Sequence, residues 1–265
     1  MRPHRPTLAP SLRPSRPAHA ADRAAIRETW AAHGRLCGVR VIFGFGGIND
    51  TLLQEELLAE NALYGDLLQI DDIPDSYYNQ TQLILRFFRW GVEHCSGARF
   101  MGKADEDTWI NVFGIFGYLR LPEAGRSVTG WIVANEKMRK VNRPEDGLKW
   151  FLTKSEYPAD TYPPYMMGYL YIFPADRIPD LLQAATRLPV HWIDDVFIAG
   201  QLPEMLQLNL LNVAEYSFSY KEVRSERCAG RNFFIIHGTD AEGKRNLFYH
   251  NCVKHLYMRL PAKCL

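Results

Sequence analysis

Two groups of carboxylates stand in apolar frames where bare charge is costly. "KADEDTWIN" (103–111) sets Asp105, Glu106 and Asp107 in a row behind the strand-like "ARFMG", and "VHWIDDVFIAG" (190–200) sets Asp194 beside Asp195. A carboxylate at the edge of a core needs a compensating partner. In extended chain Asp105 and Asp107 point to one side and Glu106 to the other. Such a pair suits a hard divalent cation that takes one or two carboxylates and leaves its other positions to phosphate oxygens. The plainer reading of the triplet is a solvated acidic turn. For Asp194 and Asp195 the plainer reading is an N-cap pair opening a helix at "DDVFIAGQL", although a capping Asp and a catalytic one can be neighbours. His237 closes the apolar run "NFFIIH". A lone histidine there is more often a satisfied core residue than a ligand.

Periodicity supplies the elements that must position these groups. "DRAAIRETW" reads as a short helix with Asp22 as its N-cap, and "VRVIFGFGG" (39–47) as a buried strand closed by glycines. "TLLQEELLAENALY" is helical through Leu53, Leu57 and Leu58, with Thr51 available as cap. "GDLLQI" is a second strand. From Asn79 to Cys95 a helix puts Leu83, Phe87 and Trp90 on one face, and "RFMGKAD" makes the third strand. This β-α-β-α-β order predicts an α/β fold with a parallel sheet. The acid triplet then lies at the carboxyl end of a strand, where open α/β sheets hold ligands. The second half adds a strand at "SVTGWIV" (127–133) and a helix near "IPDLLQAAT".

Composition narrows the function classes. A net charge of +1 over 265 residues, with 47% hydrophobic and 23% charged, offers no broad basic surface for nucleic acid. The chain has no apolar run of 18 residues, the length of a membrane-spanning helix. Cys37, Cys95, Cys228, Cys252 and Cys264 form no C-x-x-C pair, so zinc-ligand spacing is absent. Asn49 and Asn79 head Asn-x-Thr sequons, which matter only in a secretory compartment. The first twenty residues hold five prolines, four arginines and no acid. Residues 1–21 therefore read as a disordered Arg/Pro-rich tail, followed by one domain over 22–265.

Five segments, in order, resemble the beta-1,3-galactosyltransferase family (glycosyltransferase family 31, which includes beta-1,3-N-acetylglucosaminyltransferases and fringe-like proteins). They are "RAAIRETW", "YGDLLQIDDIPDSYYNQT", "KADEDTWIN", "KWFLTKSEYPADTYPPY" and "IDDVFIAG". The resemblance implies a GT-A fold with a Rossmann-like, mostly parallel sheet. It further implies an inverting, metal-dependent transfer from a UDP-sugar, galactose or N-acetylglucosamine, to the 3-hydroxyl of a glycan on glycoprotein or glycolipid. By resemblance the triplet is a DxD motif, Asp107 binds Mn²⁺ or Mg²⁺, and His237 is a candidate second ligand. Asp105, with Glu106 and Lys103, faces the nucleotide, as do Arg23 and Arg27, the latter favoured. Asp195 is the implied general base, with Asp194 as alternative, and the implied compartment is the Golgi lumen. Tyr162, Tyr165 and Trp150 are candidate sugar-stacking rings, with core packing an equal alternative.

The chain departs from the family pattern at Glu106, at Leu83 where a Lys is usual, and at "MMGYLY" where a Gly-rich run is usual. Leu83, the altered glycine run and the missing signal anchor are the case for a pseudo-enzyme that binds without turnover. Retention of Asp105, Asp107 and Asp195 favours an active enzyme, since such acids are a liability without a cation.

Overall fold

The computed structural model of the chain describes residues 7–14, 16–225 and 233–250. The sheet is built from β1 (Thr7–Pro14), β2 (Val41–Gly47), β3 (Leu67–Pro74), β4 (Ala98–Ala104), β6 (Ser127–Val133), β7 (Tyr165–Pro174) and β8 (Asn209–Asn212), in the order β3-β2-β1-β4-β7-β6-β8. A smaller sheet, β5-β10-β9, joins β5 (Trp109–Ile110), β9 (Ser217–Ser219) and β10 (Ile235–His237). The helices are α1 (Ala20–Glu28), α2 (Trp30–Leu36), α3 (Thr51–Tyr64), α4 (Gln80–His94), α5 (Val112–Tyr118), α6 (Ile178–Ala185), α7 (Asp194–Val196), α8 (Leu202–Met205), α9 (Tyr220–Ser225) and α10 (Ala241–His250).

Strands β3, β2, β1 and β4 run parallel, and β7 then pairs antiparallel with both β4 and β6. The 3-2-1-4 order reverses direction between β1 and β4, and open α/β sheets bind ligands at such a switch point. Alternation along the strands sends side chains to opposite faces. Phe100 and Leu170 join a core with Trp30 and Ile115, while Met101, Tyr171 and Phe173 join another with Phe87 and Phe197. Helix α4 lies close on β2 because Gly44 has no side chain: a Cβ there would stand 2.5 Å from the Phe87 ring.

The segment expected as a disordered tail supplies β1, so that expectation is corrected for residues 7–14; residues 1–6 lie outside the described residues. Strand β1 gains backbone bonds from both β2 and β4, and such pairing depends little on composition. Its prolines fall where a ladder tolerates them. Pro10 sits within the register shift between Leu8 and Ser11, and Pro14 is the last residue. Two caps also differ from expectation. His19, not Asp22, precedes α1, and Asp50, not Thr51, caps α3 by accepting from Leu53 N. Of the sequon asparagines, Asn49 is exposed, whereas Asn79 donates its amide to Pro74 O. Cys228, Cys252 and Cys264 lie outside the described residues.

Candidate active site

The positive partner of the acid triplet is inside the motif itself. Register pairs Lys103 on β4 with Tyr171 on β7, so both side chains enter the same face. Lys103 is buried, with Nζ 2.6 Å from Asp105 Oδ1 and 3.1 Å from Asp194 Oδ2, and it donates to Gly168 O at 2.8 Å. Tyr171 donates its hydroxyl to Asp194 Oδ2 at 3.1 Å. Burial alone would lower the Lys103 pKa, but the Asp105 and Asp194 carboxylates outweigh it and hold the ammonium charged. One buried lysine therefore joins the two acidic groups that stand 89 positions apart in sequence.

Asp194 and Asp195 open α7 rather than cap it; the N-cap residue is Ile193. Helix α7 continues through a π-helical turn, Phe197–Gln201, into α8, and π turns within helices frequently mark functional sites. Burial pushes the Asp194 carboxyl up, while Lys103 and Tyr171 oppose this. Asp195 is half-buried and accepts from Val196 N at 2.8 Å. Burial, then the neighbouring Asp194 charge, lifts its carboxyl to about 7. Gly168 keeps the floor here open. A Cβ at that position would lie 3.5 Å from both Asp195 Oδ2 and Lys103 Nζ, and 3.6 Å from Asp105 Oδ2. Asp195, Lys103 and Asp105 thus converge on one small space.

The switch point lies next to this cluster. Glu106 accepts from His19 Nδ1 at 2.6 Å and from Arg16 N at 3.2 Å, bridging the chain after β1 to the chain after β4. Asp75, after β3, accepts from Gly46 N; burial raises its pKa, and the nearby Glu106 charge adds to the rise. Asp107 is exposed, and its carbonyl accepts from both the backbone and the hydroxyl of Thr239, each at 2.7 Å. That clasp brings the end of β10, with His237, beside the triplet. The His237 ring stacks on Tyr169 with centroids 4.1 Å apart and planes 3° apart. Among the described residues no three His, Cys, Asp or Glu side chains form a ready metal-holding group. Asp107 and His237 offer one hard oxygen and one imidazole nitrogen. That donor set suits a cation whose remaining positions go to water and phosphate oxygens.

A family described as galactosyltransferase matches residues 21–214. The chain belongs to the beta-1,3-galactosyltransferase family. It is 32% identical over 221 residues to beta-1,3-galactosyltransferase 5 of Pan paniscus, covering 82% of this chain and 71% of that one. It is 26% identical over 225 residues to beta-1,3-galactosyltransferase 1 of Homo sapiens, covering 83% of this chain and 66% of that one. The chain therefore spans about two thirds of the length of these curated relatives. An apo structure of the bifunctional glycosyltransferase WbbM superposes with a TM-score of 0.51 at 10% identity, covering 96% of this chain and 52% of that one. That likeness shows the fold, which is GT-A-like. The chain is a glycosyltransferase.

Several residues expected at the nucleotide have other partners in this galactosyltransferase-family chain. Arg23 is buried, paired through two nitrogens with Glu60 and donating to Arg16 O and Pro17 O. Arg27 is buried between Asp66 and Glu60 and under the Tyr64 ring, 4.0 Å from its centroid. Arg23 ties α1 to α3, and Arg27 ties it to α3 and to Asp66 just ahead of β3. Lys103 and Glu106 are likewise bound internally, as described above. Sequence reasoning missed these partners because Glu60 and Asp66 lie 37 and 39 positions away from Arg23 and Arg27 respectively.

The departures from the family pattern also resolve. Leu83 is buried beside Ile84 and Phe87, and Leu170 faces the opposite core, so neither lines the site. Tyr169 does line it, against His237 and Trp131. Of the three candidate stacking rings, Tyr162 packs in a small core with Tyr157 and Ile193. Tyr165 is half-buried, its hydroxyl pushed up to about 12 by burial and by Asp195. Trp150 is 52% exposed. His19, Asp75 and Trp192 carried no sequence signal.

Proposed function

We propose that this chain moves galactose from UDP-galactose, with inversion, to the 3-hydroxyl of a glycan on glycoprotein or glycolipid in the Golgi lumen. The observation that carries the reading is Asp195: a half-buried carboxylate lifted to about 7, standing over the open floor at Gly168. The names of the relatives support galactose over N-acetylglucosamine as the donor sugar.

The acceptor hydroxyl gives its proton to Asp195 as its oxygen bonds to the anomeric carbon, and the bond from that carbon to the UDP oxygen breaks. One displacement on an α-linked donor leaves a β-linked product, with no covalent intermediate. Asp194 stays against Lys103 and Tyr171, and its charge raises the basicity of Asp195. A general base works best when its pKa lies near the working pH. Asp107 and His237 are the residues that would hold Mn²⁺ or Mg²⁺, which when bound supplies Lewis-acid stabilisation of charge on the departing diphosphate. Among the described residues no helix is long and apolar enough to cross a membrane.

The base must be ionised to work, so kcat/KM falls about tenfold per pH unit below about 7 and levels off above it. The acid limb of kcat reports the same carboxylate in the substrate complex. Initial rates from pH 5 to 9 check both limbs. Activity that rises as pH falls below the limb contradicts the assignment.

The function is tested by UDP release and sugar transfer over a panel of UDP-sugars and β-glycoside acceptors, with and without Mn²⁺, in wild type and Asp107→Ala. The expected result is Mn²⁺-dependent transfer from UDP-galactose that Asp107→Ala abolishes. Preferred use of UDP-N-acetylglucosamine would reassign the donor. Binding of UDP without turnover of any donor would make the chain a binding module.

A further inference from the structure

Exposed aromatic rings cluster beside the acid pair. Tyr77 and Tyr78 follow β3, Trp192 precedes α7, and Trp150 and Phe151 come from the long β6–β7 connection. Trp192 lies 5.6 Å from Tyr77, 5.3 Å from Tyr78 and 6.4 Å from Phe151, centroid to centroid. Trp150 donates its indole N–H to the Tyr77 hydroxyl at 2.8 Å. Lys149 covers both rings, at 5.2 Å from Tyr77 and 5.0 Å from Trp150. Despite these contacts Tyr77, Tyr78 and Trp150 remain 46%, 65% and 52% exposed. Large rings that pack together and still face water mark a binding surface.

The cluster is held firmly. Buried Arg143 ties the β6–β7 connection by donating to Leu152 O, Tyr157 O and Ala159 O. Asn142 donates to Trp150 O at 3.0 Å. Trp150 and Phe151 are therefore presented by a braced loop. The rings are also continuous with the reaction centre. Trp192 is two residues from Asp194, and the charges of Asp194, Asp195 and Asp105 all reach the Tyr77 hydroxyl, whose pKa rises mainly through burial and then through them.

We propose that Tyr77, Tyr78, Trp150 and Trp192 form a stacking platform for a pyranose ring of the acceptor glycan, which delivers its hydroxyl to Asp195. The inference rests on the transferase reading above and adds to it how the acceptor is recognised. Pyranose rings present apolar C–H faces that suit flat aromatic surfaces with a polar tip, the combination Tyr and Trp supply. No cationic cradle for a second phosphate is needed, and Lys149 is occupied by the rings themselves.

The test uses Tyr78→Ala and Trp192→Ala, with Tyr78→Phe as the control that keeps the ring. Tyr78 is mostly exposed, so its removal is compatible with folding. In the transfer assay the acceptor KM rises about tenfold in each Ala variant. The Phe variant stays within twofold of wild type, and UDP affinity measured by calorimetry is the same in all four proteins. In parallel, saturation-transfer NMR detects ring-to-sugar contact with methyl β-galactoside and methyl β-N-acetylglucosaminide in wild type and loses it in Tyr78→Ala. An acceptor KM unchanged in both Ala variants overturns the platform while leaving the transferase intact. Absence of turnover in wild type with sugar contact retained overturns the transferase reading and leaves the platform as a glycan-binding surface. Absence of both overturns both.

Discussion

Asp195→Asn lowers kcat by about 10²- to 10⁴-fold, the usual worth of general-base assistance, while leaving UDP binding in place. The amide keeps the shape of the carboxylate and still accepts from Val196 N, so folding is preserved and the loss is chemical. Asp194→Asn behaves differently. It keeps the base but removes the adjacent charge that, after burial, raises the Asp195 pKa. The acid limb of kcat/KM then shifts to lower pH, and the fall in kcat at neutral pH is smaller than in Asp195→Asn. Single-turnover rates for the two variants across pH separate these roles. Equal losses with no movement of the limb would place the base at Asp194 instead.

Lys103→Met costs about 3 kcal/mol of stability, measured by urea denaturation at neutral pH. Removing one partner from a buried ion pair leaves a charge without compensation, which costs about 3–5 kcal/mol. The lower end applies because the Asp105 side chain stays 35% exposed and keeps its water, whereas Asp194 is 12% exposed and loses the Lys103 ammonium 3.1 Å away. The double variant Lys103→Met/Asp194→Asn recovers part of that stability, since no buried charge is stranded. A Lys103→Met protein as stable as wild type would remove Lys103 from its place as the link between the two acid groups. In that case the convergence of Asp105 and Asp195 on Gly168 would need another cause.

Local pattern made much of the fold legible. Helix α3 begins and ends where the apolar and polar spacing puts it, and β2, β3 and β4 are β-rich runs bounded by glycines and turns. Strand β1 was hidden because a central strand is held by backbone bonds to both neighbours, and its side chains advertise disorder instead. At the site, the pattern marked Asp194 and Asp195 only as adjacent acids in an apolar frame, with helix capping the plainer reading, and the choice of Asp195 as base came from the family resemblance. The roles of Lys103, Arg23 and Arg27 were not. A cation in sequence looks the same whether it meets a phosphate or a carboxylate brought in from another element, and only the 103–171 register and the placement of α3 decide which. Of the aromatic platform, only Trp150 was a candidate in sequence, through the family resemblance, while Tyr77, Tyr78 and Trp192 meet only once β3 and α7 are placed.

The most direct test of the central claim is the structure of the product. Wild-type protein is incubated with UDP-galactose, Mn²⁺ and the acceptor that the panel selects, and the purified product is examined by NMR beside the same reaction with Asp195→Asn. The account predicts a galactose joined through a β linkage to the acceptor's 3-hydroxyl, formed by wild type and nearly absent with Asp195→Asn. An α-linked product, or a β-linked one formed equally by both proteins, would contradict it.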